Sequence, residues 1–104
     1  ERLGLAYQRA MAGQALVDAL GESNEYVRRR SAMILAGLGR AEGVPVLAQT
    51  LTFDNEVVPL EAASALAKLG PAAHAALPAL REVATGKTAL SEAARTAIAQ
   101  IEAR

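Results

Sequence analysis

Apolar residues recur along this chain at intervals of three and four, and the spacing comes round three times. Val27, Ser31, Ile34, Leu35 and Leu38 fall on one helical face; Val58, Ala62, Ala65, Leu66 and Leu69 repeat it thirty-one residues later; Leu90, Ala94, Ala97, Ile98 and Ile101 form a third copy. This periodicity is helical and unlike the alternation of a strand. Shorter apolar runs lie between, at Val44, Leu47 and Leu51 and at Leu77, Leu80 and Val83, and they predict a second, shorter helix in each unit. Pro45 and Pro78 sit near their starts, where a missing N–H loses no helical partner.

The boundaries carry their own signals. Asn24 and Asn55 are suited to cap the first helices, each followed by a glutamate that the helix dipole favours. Gly39 and Gly70 can take the left-handed conformation that ends a helix, and Pro71 follows the second. Pro59 stands where the preceding unit has Arg28. Either the helix starts at Asn55 and Pro59 costs it a local hydrogen bond with a small kink, or it starts later, near Val58 or Pro59.

The register extends backwards. Leu16 and Leu20 match Leu47 and Leu51, and Arg9-Ala10 matches Arg40-Ala41. Residues 1–8 are then expected to end an earlier first helix, with 13–21 as its partner. The chain reads as one domain, 1–104: a partial repeat 1–23, repeats 24–54 and 55–87, and a partial repeat 88–104. A period of this length signals stacked units, none able to bury its apolar face alone. Stacks need polar caps at their ends, yet Leu3, Leu5 and Tyr7 at one end and Ile98 and Ile101 at the other look only partly covered. Those ends are expected to dock onto more repeats or another domain, which makes the chain a fragment of a longer protein.

Composition narrows the function. Of 104 residues, 52% are apolar but only 3% aromatic, so the helices are built from alanine and leucine, the best helix formers. Eleven basic residues oppose eleven acidic ones, and both halves are balanced. Nucleic acid or an anionic membrane normally requires a basic excess, so neither is an expected partner. The absence of cysteine removes disulfides and thiolate chemistry while leaving the compartment open. No apolar run approaches the ~20 residues of a membrane span.

The internal wording also matches a known family. Asp54-Asn55-Glu56-Val57-Val58, Ala62-Ala63, Ala65-Leu66, Leu69-Gly70 and Ala76-Leu77-Pro78-Ala79-Leu80 resemble the short bacterial HEAT-like repeat first noted in phycobilisome lyases. Val27-Arg28, Val44-Pro45-Val46-Leu47 and Leu51 match it in the preceding unit. The resemblance covers essentially the whole chain and implies an all-α, right-handed α-solenoid of antiparallel helix pairs, with the second helices lining a concave binding surface. It also implies that Arg28 pairs with nearby acids. Pro59 departs from the Val-Arg pattern and puts a continuous ladder of such pairs in doubt. The run Leu69-Gly70-Pro71-Ala72-Ala73 with Ala75 to Leu80 is similar to the HEAT-like tails of some bacterial sulfatases, implying a catalytic domain outside this chain.

Candidate chemistry is sparse. His74 is the only histidine; it lies among alanines without the converging ligands a metal needs and reads as an exposed loop or first-turn residue. Ser23, Ser31, Ser64 and Ser91 have no base nearby in sequence, and Glu25, Glu56 and Glu92 are explained by their places near helix starts. Gly86-Lys87-Thr88 lacks the earlier glycine and the strand of a phosphate-binding loop. Tyr7, Tyr26 and Phe53 are too scattered for base stacking. No cofactor, metal or small-molecule substrate is expected. Arg28, Arg29 and Arg30 spread around a helix, so of these Arg29 and Arg30 are the candidates for contact with an acidic partner. Asp18, Gln49 and Glu82 hold equivalent places on successive second helices, with Gln14 one turn before Asp18, and are expected to line up as a polar, partner-facing row. The reading is a non-catalytic interaction or scaffold module that binds a protein or a neighbouring domain; the alternative is an accessory C-terminal domain of a larger, sulfatase-like bacterial hydrolase, serving orientation or oligomerisation.

Overall fold

The computed structural model describes residues 2–103, with the side chains of residues 2, 3, 5–7 and 9 outside the description. It contains six α-helices: α1 (Arg2–Ala19), α2 (Glu25–Gly37), α3 (Val44–Thr50), α4 (Val58–Leu69), α5 (Leu77–Val83) and α6 (Ala89–Glu102), with a 3-10 segment (Gly70–Ala76) between α4 and α5. Among the described residues there is no strand. The first helices α2, α4 and α6 lie side by side in one layer, and the short helices α3 and α5 form a second layer against them. The chain is thus an all-α solenoid of helix pairs, as its periodicity predicts.

The core is leucine and alanine. Leu35, Leu47, Leu51, Leu66 and Leu80 are the largest fully buried side chains, and Ala32, Ala62, Ala63, Ala94 and Ala97 are fully buried between helices. Such small side chains let helix axes approach closely. The approach is close where α3 begins: a Cβ built on Gly43 would sit 2.7 Å from both Cα and Cβ of Ala32 on α2.

The caps of α2 follow from its sequence. The Asn24 side chain accepts the Val27 N–H at 3.1 Å. At the other end Gly39 has φ +78°; its N–H donates to the Ala36 carbonyl and that of Arg40 to the Leu35 carbonyl, each at 2.9 Å, which satisfies carbonyls the helix leaves free. A side chain at Gly39 would strain this conformation. Gly39→Ala is expected to cost about 1 kcal/mol, read as a fall in Tm of about 4–8 °C for a domain of this size.

Asn55 does not cap α4. That helix starts later, at Val58, behind Val57, so the second alternative for Pro59 holds. Pro59 falls in the first turn, where no intrahelical donor is lost. Asn55 still serves the helix start, accepting from the Val57 and Val58 N–H groups at 2.7 and 2.9 Å. The sequence reading had no 3-10 segment. Gly70, with φ +62°, turns the chain sharply, and Ala73 and Ala76 then plug the space between α3, α4, α5 and α6. His74 is exposed on this segment, as expected.

Other expectations are corrected. Residues 1–8 and 13–21 are not two helices, because α1 runs unbroken from Arg2 to Ala19. The segment Gln8-Arg9-Ala10-Met11-Ala12 contains no glycine or proline, whereas the α2–α3 turn uses Gly39 and Gly43; strong helix formers simply carry the helix through. The buried face of α2 is Ser31, Ala32, Leu35 and Ala36, leaving Ile34 43% and Leu38 61% exposed. Their counterparts are Ala65, buried beside the α2–α4 seam, and Leu69, half-buried. At the far end Ile98 is half-buried, partly covered as expected, whereas Ile101 is fully covered. Leu3, Leu5 and Tyr7 lie outside the described side chains.

Candidate functional site

The three consecutive arginines go three separate ways. The resemblance implied acidic partners for Arg28, but its Nη1 instead donates to the backbone carbonyls of Glu22 and Ser23, at 2.8 and 2.9 Å. The turn after α1 leaves those carbonyls without helical donors, and a guanidinium satisfies both. Arg95 does the same for the carbonyls of Ala84 and Gly86, at 2.7 and 3.1 Å. Arg29 turns inward. Its side chain is 18% exposed and pairs with Glu25 at 3.2 Å, and its guanidinium stacks 4.5 Å from the Phe53 ring and 6.0 Å from that of Tyr26. Arg30 is exposed.

Arg29 and Arg30 converge on the seam between α2 and α4. A cleft of about 430 Å³ opens along it, lined on α2 by Met33, Ala36 and Gly37 and on α4 by Glu61, Ala65 and Lys68. A second cleft, of about 180 Å³, continues it toward the helix starts past Tyr26, Arg30 and Val58. The two share Met33 and Glu61 and form one trench. Amino ends meet amino ends along it, so α2 and α4 run parallel. From Tyr26 to Gly37 the trench is about 16 Å long at 1.5 Å per residue. Its rim carries Tyr26 and Val57, 61% and 60% exposed.

The trench lies along the looser of the two seams between first helices. The α4–α6 seam is the most extensive pairing in the molecule, and alanines close it. Arg29 and Met33 of α2 hold the places that Leu60 and Ser64 hold on α4, and all four line the two clefts between α2 and α4. Sequence reasoning missed the trench.

The predicted polar row is distributed over three helices. Gln49 is exposed on α3 and Glu82 on α5, and these helices are neighbours. Gln14 donates to Asp18 at 2.9 Å on α1, whose main packing is on α2. Gln49 also shares a cleft of about 190 Å³ with Glu25, Arg28 and Arg29. A larger hollow of about 670 Å³ lies between the 3-10 segment, α5 and the end of α6, spanned by an Arg81–Glu102 ion pair at 2.8 Å.

Among the described residues no three His, Cys, Asp or Glu side chains cluster as a metal site, and no helix is long and apolar enough to cross a membrane. In the α2–α3 turn, Arg40 hydrogen-bonds Glu42 at 2.6 Å; this holds the Glu42 carboxyl below the usual carboxylate range and raises the guanidinium. The Arg40 guanidinium lies directly over Gly13 of α1, where a side chain would displace it, so the pair packs against α1 there. What the trench offers is an apolar floor with isolated charges on its rim, suited to reversible contact with another macromolecule.

A family model described as HEAT repeats matches residues 13–101. No curated protein matches the chain, so neither the phycobilisome-lyase likeness nor the sulfatase-tail likeness gains support.

Proposed function

The chain belongs to the HEAT-repeat family, and from that premise we propose that it is a non-catalytic docking module which holds a protein partner in the trench between α2 and α4. HEAT repeats generally mediate protein–protein interaction or scaffolding. The observation that carries the reading is the open seam itself: a trench with Met33 and Ala65 in its floor and exposed Tyr26 and Val57 on its rim, where the next seam is closed. Exposed aromatic and apolar groups around a floor that a partner can desolvate are where interface energy concentrates. The partner is a separate protein or a neighbouring domain of the same polypeptide.

A photo-cross-linking residue placed at Ser64, on the trench wall, is expected to capture the partner in the native cell, while one placed at Gln49 is not. Val57→Lys should reduce capture from Ser64 about tenfold or more, and Asp18→Lys with Glu82→Lys should leave it unchanged. The opposite pattern, loss on reversal of Asp18 and Glu82 with Val57→Lys neutral, would transfer docking to the second-helix face and sink the trench reading.

A further inference from the structure

We infer that the occupant of the trench is a three-turn amphipathic helix that carries an acidic residue opposite Arg30, a basic residue opposite Glu61 and a second acidic residue opposite Lys68. The inference rests on the docking reading above and adds the chemistry of the partner.

Length sets the first term. A trench of about 16 Å matches about eleven helical residues, or three turns. An extended strand of that length would leave its backbone donors and acceptors facing an apolar floor, because both walls are helices whose own backbone groups are already paired. A helix satisfies its backbone internally and presents apolar side chains at i, i+3 or i+4 and i+7. The seams of this molecule are already filled that way, one helix lying in contact with two others: α4 packs on α3 and α6.

Charge sets the second term. Arg30 and Glu61 hold equivalent places thirty-one residues apart, so they stand at the same level on opposite walls. Both line the same cleft, yet among the described residues the ion pairs are Arg29–Glu25, Arg40–Glu42 and Arg81–Glu102. They remain apart across the opening. Lys68 stands two turns beyond Glu61 on the same wall and lines the other end. A helix laid between the walls meets a positive charge on one flank, a negative charge facing it on the other, and a positive charge further on. Complementary flanks fix its register and suppress partners of the reverse pattern.

The test uses a helix-stabilised synthetic peptide with leucines at the apolar positions, acidic residues on the Arg30 and Lys68 sides and lysine on the Glu61 side. Its charge-reversed twin and an all-alanine-face control accompany it. Fluorescence anisotropy gives affinity, and amide chemical shifts of the full chain locate the site. The first peptide is expected to perturb Met33, Glu61 and Ala65 and to bind about tenfold tighter than its twin. Arg30→Glu combined with Glu61→Arg should reverse the preference, an outcome that a merely unfolded variant cannot produce. Equal affinity for the two peptides, or shifts outside the trench, overturns the inference. If Ser64 cross-linking captures a partner in the trench while neither peptide binds, the helix fails and the docking reading survives; if cross-linking at Ser64 fails as well, both fall. Perturbation of the same amides by raising the protein concentration alone would identify a second copy as the occupant and overturn the proposal.

Discussion

Leu66→Ala is expected to lower the unfolding free energy by about 2–5 kcal/mol, the largest effect of any conservative truncation in the chain. Leu66 is fully buried on α4, the helix that packs on α2, α3, α6 and the 3-10 segment. Its loss leaves a hole facing several elements at once, and alanine-rich neighbours have short side chains with little freedom to fill it. Small domains hold only about 5–15 kcal/mol in total, so the variant should melt at least about 10 °C lower. Ile34→Ala is the internal comparison. Ile34 belongs to the same apolar pattern, one place before Leu35, the match of Leu66, but lies exposed, and its truncation should stay within about 0.5 kcal/mol. Thermal unfolding followed by circular dichroism decides between the burial seen in the structure and a simple reading of periodicity. Equal losses for the two variants would contradict the packing described above.

Gly43→Ala carries the second-largest expectation. The added methyl would meet Ala32 Cα and Cβ at 2.7 Å, contacts with backbone and a short side chain that have no rotamer to escape into. Overpacking of this kind costs about 1–3 kcal/mol. Backbone strain is not the cause, because Gly43 has φ −89° and ψ 3°, which alanine adopts freely. The loss should therefore be partly recovered by Ala32→Gly in the same chain, a coupling that a double-mutant cycle by urea unfolding measures directly. A double variant no more stable than the sum of the single losses would place the cost elsewhere.

The fold was legible because α2, α4 and α6 repeat one apolar spacing and because Asn24, Gly39 and Gly70 end helices through local chemistry that needs no neighbour. Errors arose where a neighbour decides. Ile34 and Leu38 look like core by their spacing, but spacing alone does not say which face of α2 its neighbours cover. The break expected near Arg9-Ala10 followed from alignment with Arg40-Ala41, yet alignment does not turn a chain that lacks the glycines. The trench was illegible for a similar reason. Arg29 reads in sequence as a contact for an acidic partner, and only the structure shows it stacked on Phe53 beside the cleft. The Arg28 contact was also misjudged, since pairing by sequence looks for carboxylates and overlooks bare carbonyls at the end of α1.

The unequal seams have a mechanical consequence. A stack bends most easily where its members grip least, so pulling or twisting this molecule will spread α2 from α4 before it disturbs α4 and α6. The carboxyl-terminal half then behaves as a rigid plate and the open seam as its compliant joint. Anything lodged in that joint stiffens the whole array, and its removal lets the array flex.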